Sequence, residues 1–172
     1  MIYEPAEDSF LLQKYVRKYA EGKVLDMGTG IGIQTLTALE KTKDVLAVDI
    51  NPEAVKLLKQ KRITAKVSDL FSNVKGKFDL IIFNPPYLPK DEREPEDSAL
   101  ATTGGKKGYE IIEKFLQQAK KFLKKEGKIL LVVSSLTGDV EKLFKKQGYE
   151  FKKLEEKKEF FEKLFVYLAY LK

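Results

Sequence analysis

The stretch Phe78-Asp79-Leu80-Ile81-Ile82-Phe83-Asn84-Pro85-Pro86-Tyr87 restricts the fold more than any other part of the chain. Leu80 to Phe83 is a continuous apolar run, as expected of a central parallel strand covered on both faces. The two prolines then end the strand, because neither can donate to a ladder. Pro85 also holds Asn84 in an extended conformation. Asn84 is therefore expected at the carboxyl end of a central strand, where open α/β sheets bind ligands. A carboxamide there can hydrogen-bond a flat polar group, and Tyr87 can stack on it. The plainer reading is a proline-rich strand exit with a turn asparagine, and these residues alone do not separate the two.

Around this strand the chain alternates apolar runs with helical periods. Phe10, Leu11, Leu12, Tyr15, Val16 and Tyr19 form one face of a helix over 7–20, with Asp8 or Ser9 as its cap and Gly22 as its stop. Strands are expected at 23–27, 44–50, 64–68, 78–84 and 127–134. Further helices are expected at about 31–41, 52–61 (with Pro52 in its first turn), 108–125 and 138–147. Residues 88–107 have no apolar period and read as a long functional loop. Tyr149–Leu154 and Leu164–Leu171 read as two strands joined by a charged segment. The pattern predicts one α/β domain over 1–172. Its architecture is a Rossmann-like three-layer sandwich, with a seven-stranded, mostly parallel sheet and a C-terminal antiparallel hairpin.

Composition narrows the chemistry. There is no Cys and no His in 172 residues, which excludes disulfides, thiol nucleophiles, Cys/His metal sites and a Ser-His-Asp triad. No run is long and apolar enough to span a membrane, and the opening MIYEPAED is acidic where a signal peptide would be basic; a cytoplasmic location is expected. The net charge of +6 would suit an acidic or nucleic-acid partner, but Lys and Glu alternate along the expected helices and read mainly as solvated faces.

Gly28-Thr29-Gly30-Ile31-Gly32 follows a strand and opens a helix, so backbone can approach a ligand there. The nicotinamide fingerprint needs its third glycine at position 33, which is Ile33. Asp26 just before the turn would repel a pyrophosphate and attract a cation. Asp49, 21 residues beyond Gly28, ends the second strand and can accept from two ribose hydroxyls. Asp69 ends the third and can accept from an adenine amino group, with Leu70 and Phe71 giving apolar contact. Each carboxylate alone reads equally well as turn chemistry. Together with Asn84 they mark four strand ends with one purpose.

At this point the chain resembles the class I S-adenosylmethionine-dependent methyltransferases. Val24-Leu25-Asp26-Met27-Gly28-Thr29-Gly30-Ile31-Gly32 is similar to their first motif, and Asn84-Pro85-Pro86-Tyr87 resembles the motif of those that methylate planar nitrogens. The opening Tyr3-Glu4-Pro5-Ala6-Glu7-Asp8-Ser9-Phe10-Leu11-Leu12 is similar to that of the HemK-like branch of archaea and eukaryotes, which methylates the GGQ glutamine of class 1 translation termination factors. Ala101–Gly108 and Glu162-Lys163-Leu164 match further segments of that branch, so the resemblance runs nearly end to end. Ser9 stands where relatives often carry Thr, and 91–97 is a charged insertion.

The resemblance implies S-adenosyl-L-methionine as cofactor, held by Ser9, Asp26, Gly28, Gly30, Asp49, Asp69, Leu70 and Asn84. It implies a helix within 1–22 that caps the cofactor, and a substrate loop at 88–107. With about 20 residues before the first strand, the helical docking domain of bacterial relatives is not expected. A small zinc-finger activator is implied as partner, and the 64–68 edge, short and carrying Lys66, could accept its strand. Asn84 and Pro85 would take the N–H groups of the acceptor amide, with Pro86 and Tyr87, and Leu88 beside them, enclosing it. An exocyclic amino group of adenine or guanine in RNA or DNA would fit the same motif. A non-catalytic Rossmann-like subunit and a lysine methyltransferase are weaker readings.

Overall fold

The computed structural model describes residue 2 and residues 4–88, 91–93 and 95–172, with residue 97 by its backbone only. Tyr3 of the opening motif therefore lies outside the described residues, as do parts of the charged insertion.

A seven-stranded sheet has the order β3-β2-β1-β4-β5-β7-β6. Its strands are β1 (Val24–Met27), β2 (Val45–Asp49), β3 (Ala65–Val67), β4 (Phe78–Phe83), β5 (Leu123–Ser134), β6 (Tyr149–Lys158) and β7 (Lys163–Leu171). The first five run parallel, and β7 enters antiparallel between β5 and β6. The chain leaves β1 outward through β2 and β3, then returns to the other side of β1 with β4. The cleft between β1 and β4 is thus the topological switch point, where such sheets bind ligands.

The helices are α1 (Glu7–Tyr19), α2 (Ile33–Leu39), α3 (Pro52–Gln60), α4 (Glu96–Thr102), α5 (Glu110–Ala119) and α6 (Val140–Lys146). Strand alternation sorts the core into two layers. Leu80, Ile82, Leu130 and Val132 pack with Leu12, Tyr15 and Val16 of α1. Ile81, Phe83, Ile129 and Leu131 pack with Ile112, Phe115 and Leu116 of α5. Phe115 is fully buried, with Phe83 4.5 Å and Phe71 5.5 Å from it between ring centres.

The sequence reading needs correcting at four places. Helix α1 is capped by Ala6, so Asp8 and Ser9 lie in its first turn and face inward; it ends at Tyr19, within one residue of the expected 20. The segment 88–107 is not structureless. It holds α4, Leu88 N–H donates to Thr102 O at 2.9 Å, and Gly104 N–H donates to Leu88 O at 2.9 Å. This helix escapes the periodicity because it is one short, partly exposed stretch. A Cβ at Gly104 would stand 2.1 Å from Gly108 O and 2.7 Å from Pro86 O, so only glycine lets this segment pack on the strand exit. The helix expected to 125 stops at Ala119, and β5 begins at Leu123; a single 3-10 turn places Phe122 on Phe71, 4.5 Å apart. Lastly, β6 extends to Lys158, four residues past its expected end at 154. Charges on both of its faces hid the strand period and protect an exposed edge.

Truncating Phe115→Ala should leave a cavity between β4 and α5 and cost about 3–5 kcal/mol. Urea unfolding followed by circular dichroism would read this as a lower midpoint at unchanged slope.

Candidate active site

The register brings the expected residues to one level. Met27 lies beside Val48 on one side and Phe83 on the other. The residues that follow these three are therefore neighbours at the carboxyl edge. A cavity of about 780 Å³ opens there, bordered by α1, the glycine turn and the loops after β2, β3 and β4. Ser9, Asp26, Gly28, Gly30, Asp49, Asp69, Leu70, Asn84, Pro85, Pro86 and Tyr87 all line it. These residues thus border one space, whereas Phe71, expected beside Leu70 as an adenine contact, is instead buried in the core between Phe115 and Phe122.

Asp26 is 1% exposed. It points to the α1/α2 face because it is level with Ile82. Its Oδ2 accepts from Thr29 Oγ1 at 2.8 Å and Thr35 Oγ1 at 2.6 Å. Burial raises its pKa from 3.8 to about 6, against the two threonine hydroxyls, which hold it down. Asp49, also in the cavity, contributes a smaller upward push. Asp26 is therefore a buried carboxylate that ionises later than an exposed one and whose charged form gains from a positive neighbour.

Asp49 is fixed by backbone. Gly30 N–H donates to its Oδ2 at 2.9 Å and Asn51 N–H to its Oδ1 at 2.8 Å. Gly30 has φ +54, a left-handed conformation that glycine adopts without strain and that lets its amide reach the carboxylate. Asn51 caps α3, its side chain accepting from Glu53 N–H at 3.0 Å. Asp69 is more open, and the Lys114 ammonium stands 3.8 Å from it. Leu70 takes φ +47, a conformation leucine rarely adopts. Ser68 holds the turn by donating its Oγ hydrogen to Leu70 O at 2.6 Å.

At the other wall, Asn84 Nδ2 donates to Ser9 Oγ at 3.4 Å and Tyr87 OH donates to Asp8 Oδ2 at 2.8 Å. Gln34 Nε2 donates to Ser9 O at 2.8 Å and so joins α2 to α1. Asp8, Thr29, Gln34 and Ile50 line the cavity but were not singled out from sequence. For Asp8 and Gln34 the contacts span 79 and 25 residues, which no local pattern carries. Ile50 gave a signal that could have been used: it is a large apolar residue directly after a strand-ending aspartate, and it is 52% exposed.

Chemically, the arrangement offers a cation-attracting carboxylate beside a glycine turn, and two further acceptors placed along the sheet edge. Opposite these stands the Asn84 carboxamide. Among the described residues no cluster of His, Cys, Asp or Glu could hold a metal ion, and no helix is long and apolar enough to cross a membrane.

Comparisons with known proteins agree with this geometry. A protein of Methanocaldococcus jannaschii with the provisional name protein N5-glutamine methyltransferase is 45% identical over 160 residues, covering 88% of this chain and 81% of that protein. The methyltransferase HEMK2 of Mus musculus is 32% identical, with 84% and 76% covered. Among solved structures, the E. cuniculi Mtq2–Trm112 complex, responsible for methylation of the eRF1 translation termination factor, has a chain that superposes with a TM-score of 0.81. That match covers 99% of both chains at 23% identity, a likeness of fold. The profile of the Methyltransferase small domain matches residues 7–161, and the chain belongs to that family.

Proposed function

We propose that this protein transfers a methyl group from S-adenosyl-L-methionine to the side-chain amide nitrogen of the GGQ glutamine in a class 1 translation termination factor. The observation that carries the reading is the shared cavity: Asn84, presented rigidly after β4, faces the same space as Asp26, Asp49 and Asp69 at the ends of β1 to β3. The names of the relatives give the acceptor.

The donor set fits the cofactor. Three carboxylates in a cavity favour a cationic ligand without phosphate. Asp26, a desolvated carboxylate that gains from a positive neighbour, is suited to the positive methionine end. The two oxygens of Asp49 are oriented by backbone amides and keep lone pairs for ribose hydroxyls. Asp69 and Leu70 would border the adenine, Gly28 and Gly30 would let the cofactor approach the backbone, and Ser9 and Asn84 would border the methyl end. Bound there, the cofactor supplies an electrophilic methyl on sulfur.

The chain's own residues must then raise the nucleophilicity of an amide nitrogen, whose lone pair is delocalised into its carbonyl. Asn84 Oδ1 and the Pro85 carbonyl would accept its two N–H groups, turning the lone pair toward the donor and stabilising the charge that would develop as the N–C bond forms and the methyl–sulfur bond breaks, with the neutral thioether S-adenosylhomocysteine as leaving group. One of those protons then leaves to solvent. Pro86, Tyr87 and Leu88 would enclose the planar group and exclude water. No step needs His or Cys, in agreement with their absence from the sequence.

The short outer strand β3 is a free sheet edge, with Val67 42% exposed. We place a small zinc-finger activator subunit there, by strand addition.

Incubation with methyl-labelled cofactor, a termination factor, tRNA and rRNA in parallel tests the acceptor. Label is expected on the GGQ glutamine; label on RNA alone would transfer the assignment to a nucleobase amine. In Asn84→Ala, calorimetric cofactor affinity should stay within about threefold while turnover falls by about 10²–10³, the loss expected for a group aimed at developing charge. The raised pKa of Asp26 gives a pH dependence. Its carboxylate is the binding form, so cofactor affinity should be level above about pH 7 and fall up to about tenfold per unit below 6. For the cofactor-free fold the sign is opposite. The raised pKa contributes stability below 3.8 that is lost as pH rises through 6.

A further inference from the structure

We propose that Asp8 and Ser9 are positioning residues that set which end of the Asn84 carboxamide faces the acceptor. The proposal rests on the reading of Asn84 as the residue that takes an acceptor N–H. For that task Asn84 must present oxygen. A carboxamide turned over presents N–H instead, and two donors would then confront each other. Nothing in the covalent structure of Asn84 chooses between the two states, so the choice must come from its neighbours.

The hydrogen-bond accounting around Ser9 makes that choice. Ser9 is 2% exposed, and its hydroxyl has one proton and two lone pairs. Ala6 N–H, which can only donate, lies 3.4 Å from Ser9 Oγ and takes one lone pair. The Asp8 carboxylate, which can only accept, lies 3.1 Å away at Oδ1 and takes the proton. One lone pair is left. The neighbour at 3.4 Å must therefore donate, and Asn84 meets Ser9 with its NH₂. Its Oδ1 is the end left for the cavity. In the reversed state, Asn84 oxygen would face a hydroxyl oxygen whose proton is already committed to Asp8.

The same carboxylate governs the far end of the Asn-Pro-Pro-Tyr segment. Asp8 Oδ2 accepts from Tyr87 OH, so the phenol proton is committed to Asp8 and the ring is held in place. Asp8 also accepts from Ser9 N–H at 2.6 Å, and Gln34 secures the Ser9 carbonyl, which fixes the turn that carries both residues. One buried carboxylate thus orients the carboxamide through Ser9 and the phenol directly, without touching the reacting atoms.

Ser9→Ala, Ser9→Thr and wild type, tested with the termination factor as substrate, separate this role from a direct cofactor contact. In Ser9→Ala the carboxamide loses its preference. We expect kcat to fall about tenfold with cofactor affinity within about twofold, the size of one orienting hydrogen bond. Ser9→Thr, which restores a hydroxyl, should recover most of the loss. A Ser9→Ala variant whose loss lies wholly in cofactor affinity would make Ser9 a cofactor contact and overturn the proposal, as would an unchanged kcat.

A second readout needs no methyl acceptor. In ¹⁵N-labelled protein saturated with S-adenosylhomocysteine, the Asn84 side-chain amide protons should give cross-peaks to the Ser9 β protons. Ser9→Ala should shift the amide signals and weaken those cross-peaks. Absence of the cross-peaks in wild type overturns the proposal whatever the substrate. Absence of wild-type turnover on glutamine, with the cross-peaks present, overturns the substrate assignment and leaves the orientation of Asn84 established.

Discussion

Two backbone ladders bring Met27 level with Val48 and Phe83, and the site depends on that register. A slip of one residue in β1 would turn Asp26 from the α2 layer to the α5 layer and carry it away from Thr29 and Thr35. A slip in β4 would place Asn84 beyond the reach of α1. The register is enforced by strands buried on both faces: Leu25 and Ile81 must enter one layer while Val24 and Leu80 enter the other. Apolar packing thus sets the positions of polar groups that have no close contact with one another.

The polar groups are then tuned by short-range partners. Burial alone would keep Asp26 protonated well above the usual carboxylate range, and two threonine hydroxyls hold it within reach of ionisation. Asp49 instead takes two backbone N–H groups and needs no side-chain support. Asp69 is the outermost of the three and meets a lysine across the mouth. These environments differ because the residues sit at successive distances from the centre of the sheet. In the proposed reading, the same carboxylate chemistry thereby serves a cationic group deep in the cavity and neutral hydroxyls nearer its rim.

Much of this was legible in the sequence. The apolar run before Asn84, the glycine turn and the aspartates at strand ends are local patterns, and each maps directly onto a strand, a turn or a strand exit. What was hidden is non-local or masked by charge. The role of Asp8 depends on Tyr87, 79 residues away. The full length of β6 was obscured because Lys and Glu occupy both of its faces. Helix α4 has too few turns to show a period. The early end of α5 follows from Phe122 reaching Phe71, a tertiary preference that overrides the helix propensity of Lys120 and Lys121. The cap of α1 was misplaced for a related reason: Asp8 and Ser9 are good capping residues that this fold uses for contacts across the cavity.

Helix α1 lies against β5 and is tied to the last hairpin. Lys14 and Tyr15 both reach Glu155, at 2.8 and 2.5 Å, and Glu7 pairs with Lys157. The residues that orient Asn84 are thus held by a segment some 140 positions further along the chain. Contacts of such separation form slowly, because a long loop must close before they contribute. The ladders that align the carboxylates use β1 to β4 alone, whereas α1 gains its full support only from the last hairpin. A change in the last hairpin, far from the cavity, would therefore reach the wall that carries Asp8 and Ser9 while leaving the aspartates of the first three strands in register.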